Sequence, residues 1–142
     1  MADSILDGRW TYRSFLNTAE PVGDDAQKAL ALLFGEGQLD IRARDDCIFT
    51  AALDFGGGAG MDLFGTLYRS AGISPAVVVI TGTGREGTPT AKWVYQYEGY
   101  IVPVWAEGVD QRPAIVGTVI RTLPHDGARA GLVASFIAVK HL

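Results

Sequence analysis

The chain has 142 residues, 48% of them hydrophobic and 20% charged, with a formal net charge of −4. That length suits a single domain over 1–142 that buries a core without metals or disulfides, and the lone Cys47 excludes an intramolecular disulfide or a cysteine-based zinc cluster. The acidic balance speaks against nucleic acid or an anionic membrane as partner. No apolar run reaches bilayer-spanning length, and MADSILDGRW lacks a signal-peptide pattern. The expectation is a cytoplasmic protein.

In chain order, Gly8–Leu16 alternates as a first strand. Asp24–Leu33 (DDAQKALALL) is the one plausible helix, with acids at its start and Gly35 just past its end. Seven further runs rich in β-branched and aromatic residues follow, separated by Gly, Pro and Asp clusters. They are Gly37–Ala43, Cys47–Phe55, Met61–Leu67, Ala76–Gly82, Thr90–Ile101, Pro113–Thr122 and Ala130–Lys140. The connections are mostly short, and none supplies a crossover helix, so neighbours pair antiparallel. The fold class is all-β: an eight-stranded antiparallel up-and-down barrel with a short helix or lid in its first loop.

Gly82-Thr83-Gly84-Arg85-Glu86-Gly87 matches the G-x-G-x-x-G pattern of dinucleotide-binding loops. That pattern binds pyrophosphate because its glycines open a helix. Here they are followed by TPTAKWVYQYEGY, in which Trp93, Tyr95 and Tyr97 alternate with Val94, Gln96 and Glu98. A period of two makes this a strand, so the glycines form a strand-to-strand loop and no nucleotide cofactor is implied. Asp54-Phe55-Gly56 resembles the kinase metal-binding triplet, but no kinase catalytic-loop motif accompanies it.

Gly8-Arg9-Trp10 matches the Gly-x-Trp that begins the first strand of calycins, and GRWTYRSF is similar to lipocalin and avidin first strands. The resemblance implies that Trp10 closes the barrel base and that a basic residue of the last strand packs across it. Lys140 stands at the right end of that strand, either over the indole or simply solvated. Gly8, Trp10 and Lys140 are thus the structural residues of the base. The lipocalin threonine-aspartate-tyrosine signature is absent after the sixth strand, where EGYIVPVW stands, and the avidin ligand pattern does not match, so biotin is not implied. As a whole the chain resembles small bacterial proteins with a calycin-like barrel, a resemblance that brings no activity with it.

With Trp10 at the base, the mouth carries Asn17–Glu36, Gly56–Gly60, Thr83–Pro89 and Leu123–Arg129. The base carries Arg44–Asp46, Tyr68–Pro75 and Val102–Arg112. Alternation points Tyr12, Ser14, Phe49, Trp93, Tyr95 and Tyr97 inward. With Arg121 at the mouth end of the seventh strand, these are the candidate ligand-binding residues. Two readings stand: a few polar groups in an apolar ligand cavity, or a filled core whose tyrosine hydroxyls satisfy one another. Arg121 either receives a ligand carboxylate or pairs with surface acids. His125, in LPHDG, is either a general base at the rim or a solvated turn residue. Two histidines far apart make no metal site, and Ser14 lacks a nucleophile-elbow context.

The seventh and eighth strands are apolar on both faces, which calls for cover from outside. No helix layer is available, so a homo-oligomer, most simply a dimer, is expected. The first functional expectation is an intracellular barrel that binds a small apolar or amphipathic molecule without a cofactor. The alternatives are a cofactor-independent isomerase, cyclase or dehydratase that uses the barrel as its chamber, and an oligomeric interaction protein with a filled barrel.

Overall fold

A computed structural model describes residues 4–69 and 75–141. Eight strands and one short helix run in the order β1 (Gly8–Leu16), α1 (Ala26–Ala31), β2 (Leu33–Ala43), β3 (Ile48–Gly56), β4 (Ala59–Tyr68), β5 (Val77–Gly84), β6 (Val94–Ile101), β7 (Ala114–Arg121) and β8 (Val133–Lys140). Each strand pairs with its chain neighbour, and β1 pairs antiparallel with β8, closing the barrel. Closure leaves no edge strand unpaired. Among the described residues no helix is long and apolar enough to cross a membrane. Of the expected base connection 68–75, residues 70–74 lie outside the described residues.

The expected strands are all present, and several boundaries move by a few residues for physical reasons. The helix is shorter than Asp24–Leu33. It is capped by the Asp25 side chain, which accepts from Gln27 and Lys28 amides, and no residue of it is buried. Without a buried face a six-residue helix gains little from packing. The chain leaves it to pair with β1 from Leu33 onward, through Arg13↔Glu36 and Ser14↔Gly35, with a bulge between Ser14 and Phe15. The sixth strand begins at Val94 rather than Thr90, because Thr90 is tied into the preceding loop by its hydroxyl, which donates to the Gly60 carbonyl at 2.6 Å. Likewise β8 starts at Val133, after the chain turns at Gly131 with φ +93°.

The base half of the barrel is filled. Trp10, fully buried, donates its indole N–H to the Leu6 carbonyl at 2.9 Å, and Leu6 itself is buried beneath the barrel. Lys140 is the β1–β8 register partner of Trp10; its ammonium lies 5.9 Å from the indole ring and donates to the Ile5 carbonyl at 2.9 Å. Of the two readings of Lys140, the structure takes the cation over the indole. Above this floor, Phe49 reaches across to Gly65, its register partner on β4, where any side chain would collide with the phenyl ring. Leu39, Ile41, Leu53, Leu63 and Val78 complete the packing.

On β7 and β8 the ambiguous faces resolve. Ile115, Val119, Ala134 and Phe136 point inward, while Val133 and Ile137 stand outward at 44% and 37% exposure. Across the strands the outward Tyr100, Val116 and Ile137 are register neighbours, giving an apolar row on the outer wall.

Candidate functional site

The mouth half of the barrel holds a cavity of about 320 Å³. Of the seven expected ligand-binding residues, six line it: Tyr12, Ser14, Trp93, Tyr95, Tyr97 and Arg121. The seventh, Phe49, does not. It faces inward as expected, but β3 runs from base to mouth, so Phe49 sits in the packed floor and Phe55, at the other end of the strand, lines the cup. Phe34, Met61, Val119 and His125 also line it. Phe34 was hidden inside the expected lid, whereas Met61 and Val119 follow from alternation once the mouth end of each strand is known.

Neighbouring aromatic rings form the wall. Trp93 stacks on the His125 imidazole at 4.5 Å and 22°, and Phe55 and Tyr95 flank the indole at 6.1 and 6.0 Å. Deeper, Tyr12 meets Tyr97 edge-on at 6.2 Å and stacks on Phe136 at 5.7 Å. The hydroxyls at this depth are held neutral. Burial pushes Tyr12 up to about 12, against the opposing pull of its Ser14 hydrogen bond, and burial likewise raises Tyr97 well above a free phenol. Tyr97 donates to the Met61 sulfur at 3.7 Å, and the buried Ser14 hydroxyl donates to the Gly35 carbonyl at 3.4 Å. The cup therefore grows more polar from floor to mouth without holding a charge in its depth.

The charge sits at the mouth. Arg121 is 9% exposed; its Nε donates to the Tyr95 hydroxyl at 3.0 Å and its Nη1 to the Arg129 carbonyl at 3.1 Å. Its guanidinium also lies 5.6 and 5.7 Å from the Phe34 and Tyr95 rings. Among the described residues no carboxylate comes within ion-pair distance of it; Glu36, on the cup wall, is paired with Arg13 at 2.9 Å. Surface pairing of Arg121 is thus not what the structure shows.

His125 is the residue whose weight the sequence understates. His125 and Ala128 exchange backbone hydrogen bonds at 3.1 and 2.7 Å, and between them Asp126 and Gly127 both have positive φ, +50° and +77°. Two positive φ values at the centre mark a type I′ hairpin turn, the geometry that an Asp-Gly pair favours. This turn folds the imidazole back over the mouth, where its side chain is only 7% exposed. Its Nε2 lies 2.7 Å from the Tyr95 hydroxyl, and its Nδ1 lies 3.0 Å from Asp126 Oδ2. The same carboxylate oxygen accepts the Trp93 indole N–H at 3.0 Å. That indole hydrogen bond, followed by the one from His125, holds the Asp126 carboxyl below its usual range. Arg121, Tyr95, His125 and Asp126 form one connected chain along the rim.

No family model matches this chain, and neither a curated protein nor a solved structure matches it.

Proposed function

We propose that this chain is a small-molecule binding barrel of calycin-like type, whose ligand is a largely apolar molecule bearing one anionic group. The observation that carries this reading is Arg121, a nine-tenths-buried cation at the wall of an apolar cup, with no carboxylate among the described residues beside it. A buried guanidinium without a counter-charge is costly, and an anion entering the cup relieves that cost with charge-assisted hydrogen bonds. The calycin-like part rests on Gly8-x-Trp10 at the base with Lys140 across the indole. The open mouth half favours the binder over a barrel filled throughout.

Two fluorescent probes test it. Anilinonaphthalene sulfonate, aromatic and anionic, and N-phenyl-1-naphthylamine, aromatic and neutral, should both bind the wild type. Arg121→Gln should weaken the anionic probe by about tenfold or more, the worth of a charged hydrogen bond. The neutral probe should change by less than about threefold in a variant that thermal unfolding shows to be folded. Equal losses for both probes, or no binding of either, would overturn the reading.

The outer wall of β7 and β8 supports a second part of the proposal, a two-fold dimer. Val133, Ile137 and Tyr100, at 44%, 37% and 45% exposure, form an apolar face that a second copy would cover. Sedimentation at micromolar concentration should show the dimer, and replacing both Val133 and Ile137 with Lys should return it to a monomer. A wild type that stays monomeric throughout that range removes this part and leaves the binding reading intact.

A further inference from the structure

We propose that Tyr95 is a catalytic base, and that the barrel moves a proton on a carbon acid held in its cup. This rests on the binding reading and adds chemistry to it. Asp126 as a carboxylate only accepts, so the proton between it and His125, 3.0 Å away, sits on Nδ1. In its neutral form His125 presents Nε2 as an acceptor, to which the Tyr95 hydroxyl 2.7 Å away donates. The Tyr95 oxygen accepts in turn from Arg121 Nε at 3.0 Å.

Passing the tyrosine proton to His125 therefore creates a phenolate against a guanidinium and an imidazolium against a carboxylate. Each new charge appears beside an opposite charge already in place, so little reorganisation is needed. The histidine is fixed on both sides: by the Asp126-Gly127 turn, and by the Trp93 ring stacked on it at 4.5 Å, whose N–H shares the same carboxylate oxygen. Tyr95 and Arg121 both line the cup, which brings the base to the ligand.

The contact between base and anion-binder narrows the substrate. Because the Tyr95 oxygen and the Arg121 guanidinium are 3.0 Å apart, a carboxylate on Arg121 leaves only a carbon two or three bonds away within reach of the phenolate. The class is a 2-oxo or 3-oxo acid with an apolar tail for the aromatic wall. In the step, the C–H bond next to the ketone breaks and its proton goes to the Tyr95 oxygen. The electron pair moves into the enolate. Return of the proton to the same carbon, or to one conjugated with it, completes an isomerisation in which nothing is oxidised or reduced.

The probe is 4-phenyl-2-oxobutanoate in D2O, with loss of its C3 proton signal followed by NMR and binding followed by tryptophan emission. Wild type should accelerate exchange above the buffer rate. Tyr95→Phe should lower the protein-catalysed rate at saturating probe by about 100-fold or more, the usual worth of a positioned acid–base group. Asp126→Asn is the second variant. The residue is exposed and has φ +50°, which asparagine tolerates, so the fold should be untouched. Asp126 acts as a positioning residue through His125, and its loss should lower the rate at saturation by about tenfold or more while the half-saturating concentration stays put. Binding without exchange above buffer, or exchange by Tyr95→Phe at the wild-type rate, would sink the proton-transfer proposal and leave the binding reading standing. Failure of the 2-oxo acid to bind a protein that binds anilinonaphthalene sulfonate would remove the proton-transfer proposal alone, and failure of both to bind would remove the binding reading as well.

Discussion

Trp10→Ala is expected to lower the unfolding free energy by about 3–5 kcal/mol, the range for deleting a fully buried large aromatic. The side chain has 0% exposure, and it is the point at which three segments meet: the 4–7 turn through Leu6, β1 through its own backbone, and β8 through Lys140. Alanine leaves a cavity at the floor. It also strips the Leu6 carbonyl of its indole donor and leaves the Lys140 ammonium without a ring to lie on. Lys140→Met, which keeps most of the stem and loses the charge, should cost only about 1 kcal/mol, the scale of a partly exposed cation–π contact. Chemical denaturation of both variants checks this. A Trp10→Ala cost below that of Lys140→Met would mean that the indole does not seal the base.

The same residues show what the sequence makes legible. Strand alternation decides in or out, because successive side chains point to opposite faces; that is how Tyr12, Ser14, Tyr95 and Tyr97 are found. Height along the barrel is a separate coordinate. Phe49 and Phe55 share a face of β3 but lie six positions apart, about 20 Å at strand rise, so one belongs to the floor and the other to the cup. The direction of each strand relative to Trp10 carries that information, and for β3 it puts Phe49 in the floor and Phe55 in the cup.

Phe34 is harder to find. In LALLFGEG an apolar run ends on glycines, and local pattern alone favours a helix with its stop signal. What overrides it is pairing with β1, including the Arg13–Glu36 ion pair at 2.9 Å, and such partners are invisible to a local window. The rim chain lies between these extremes. Asp126-Gly127 is a strong hairpin-turn signal, which foretells that His125 reverses direction. Only the β6–β7 register, which pairs Tyr95 with Arg121, brings the phenol to meet the imidazole and the guanidinium.

Gly84→Ala and Gly87→Ala separate a structural from a nucleotide-binding role for the glycine-rich loop. Gly84 ends β5, and its amide donates to the Trp93 carbonyl at 2.8 Å. A methyl group there would fall on the Thr90 carbonyl. Thr90 cannot easily retreat, since its hydroxyl donates to the Gly60 carbonyl at 2.6 Å and the residue is fully buried. The substitution must therefore push the 85–93 loop outward, at about 3 kcal/mol, the upper part of the overpacking range. It should also displace Trp93, whose ring stacks on His125. Gly87 has φ +76° and open space where a Cβ would stand, so alanine there costs only the left-handed backbone, about 1 kcal/mol. No helix follows these glycines: Arg85, next in the loop, is turned to Asp54 and Asp62 on the outer wall at 2.8 and 3.2 Å. NADH and ATP should show no saturable binding to the wild type, because no helix N-terminus is there to meet a pyrophosphate. Thermal unfolding of the two variants gives the ordering. A costlier Gly87→Ala, or nucleotide binding that either change abolishes, would return the loop to the role its pattern suggests.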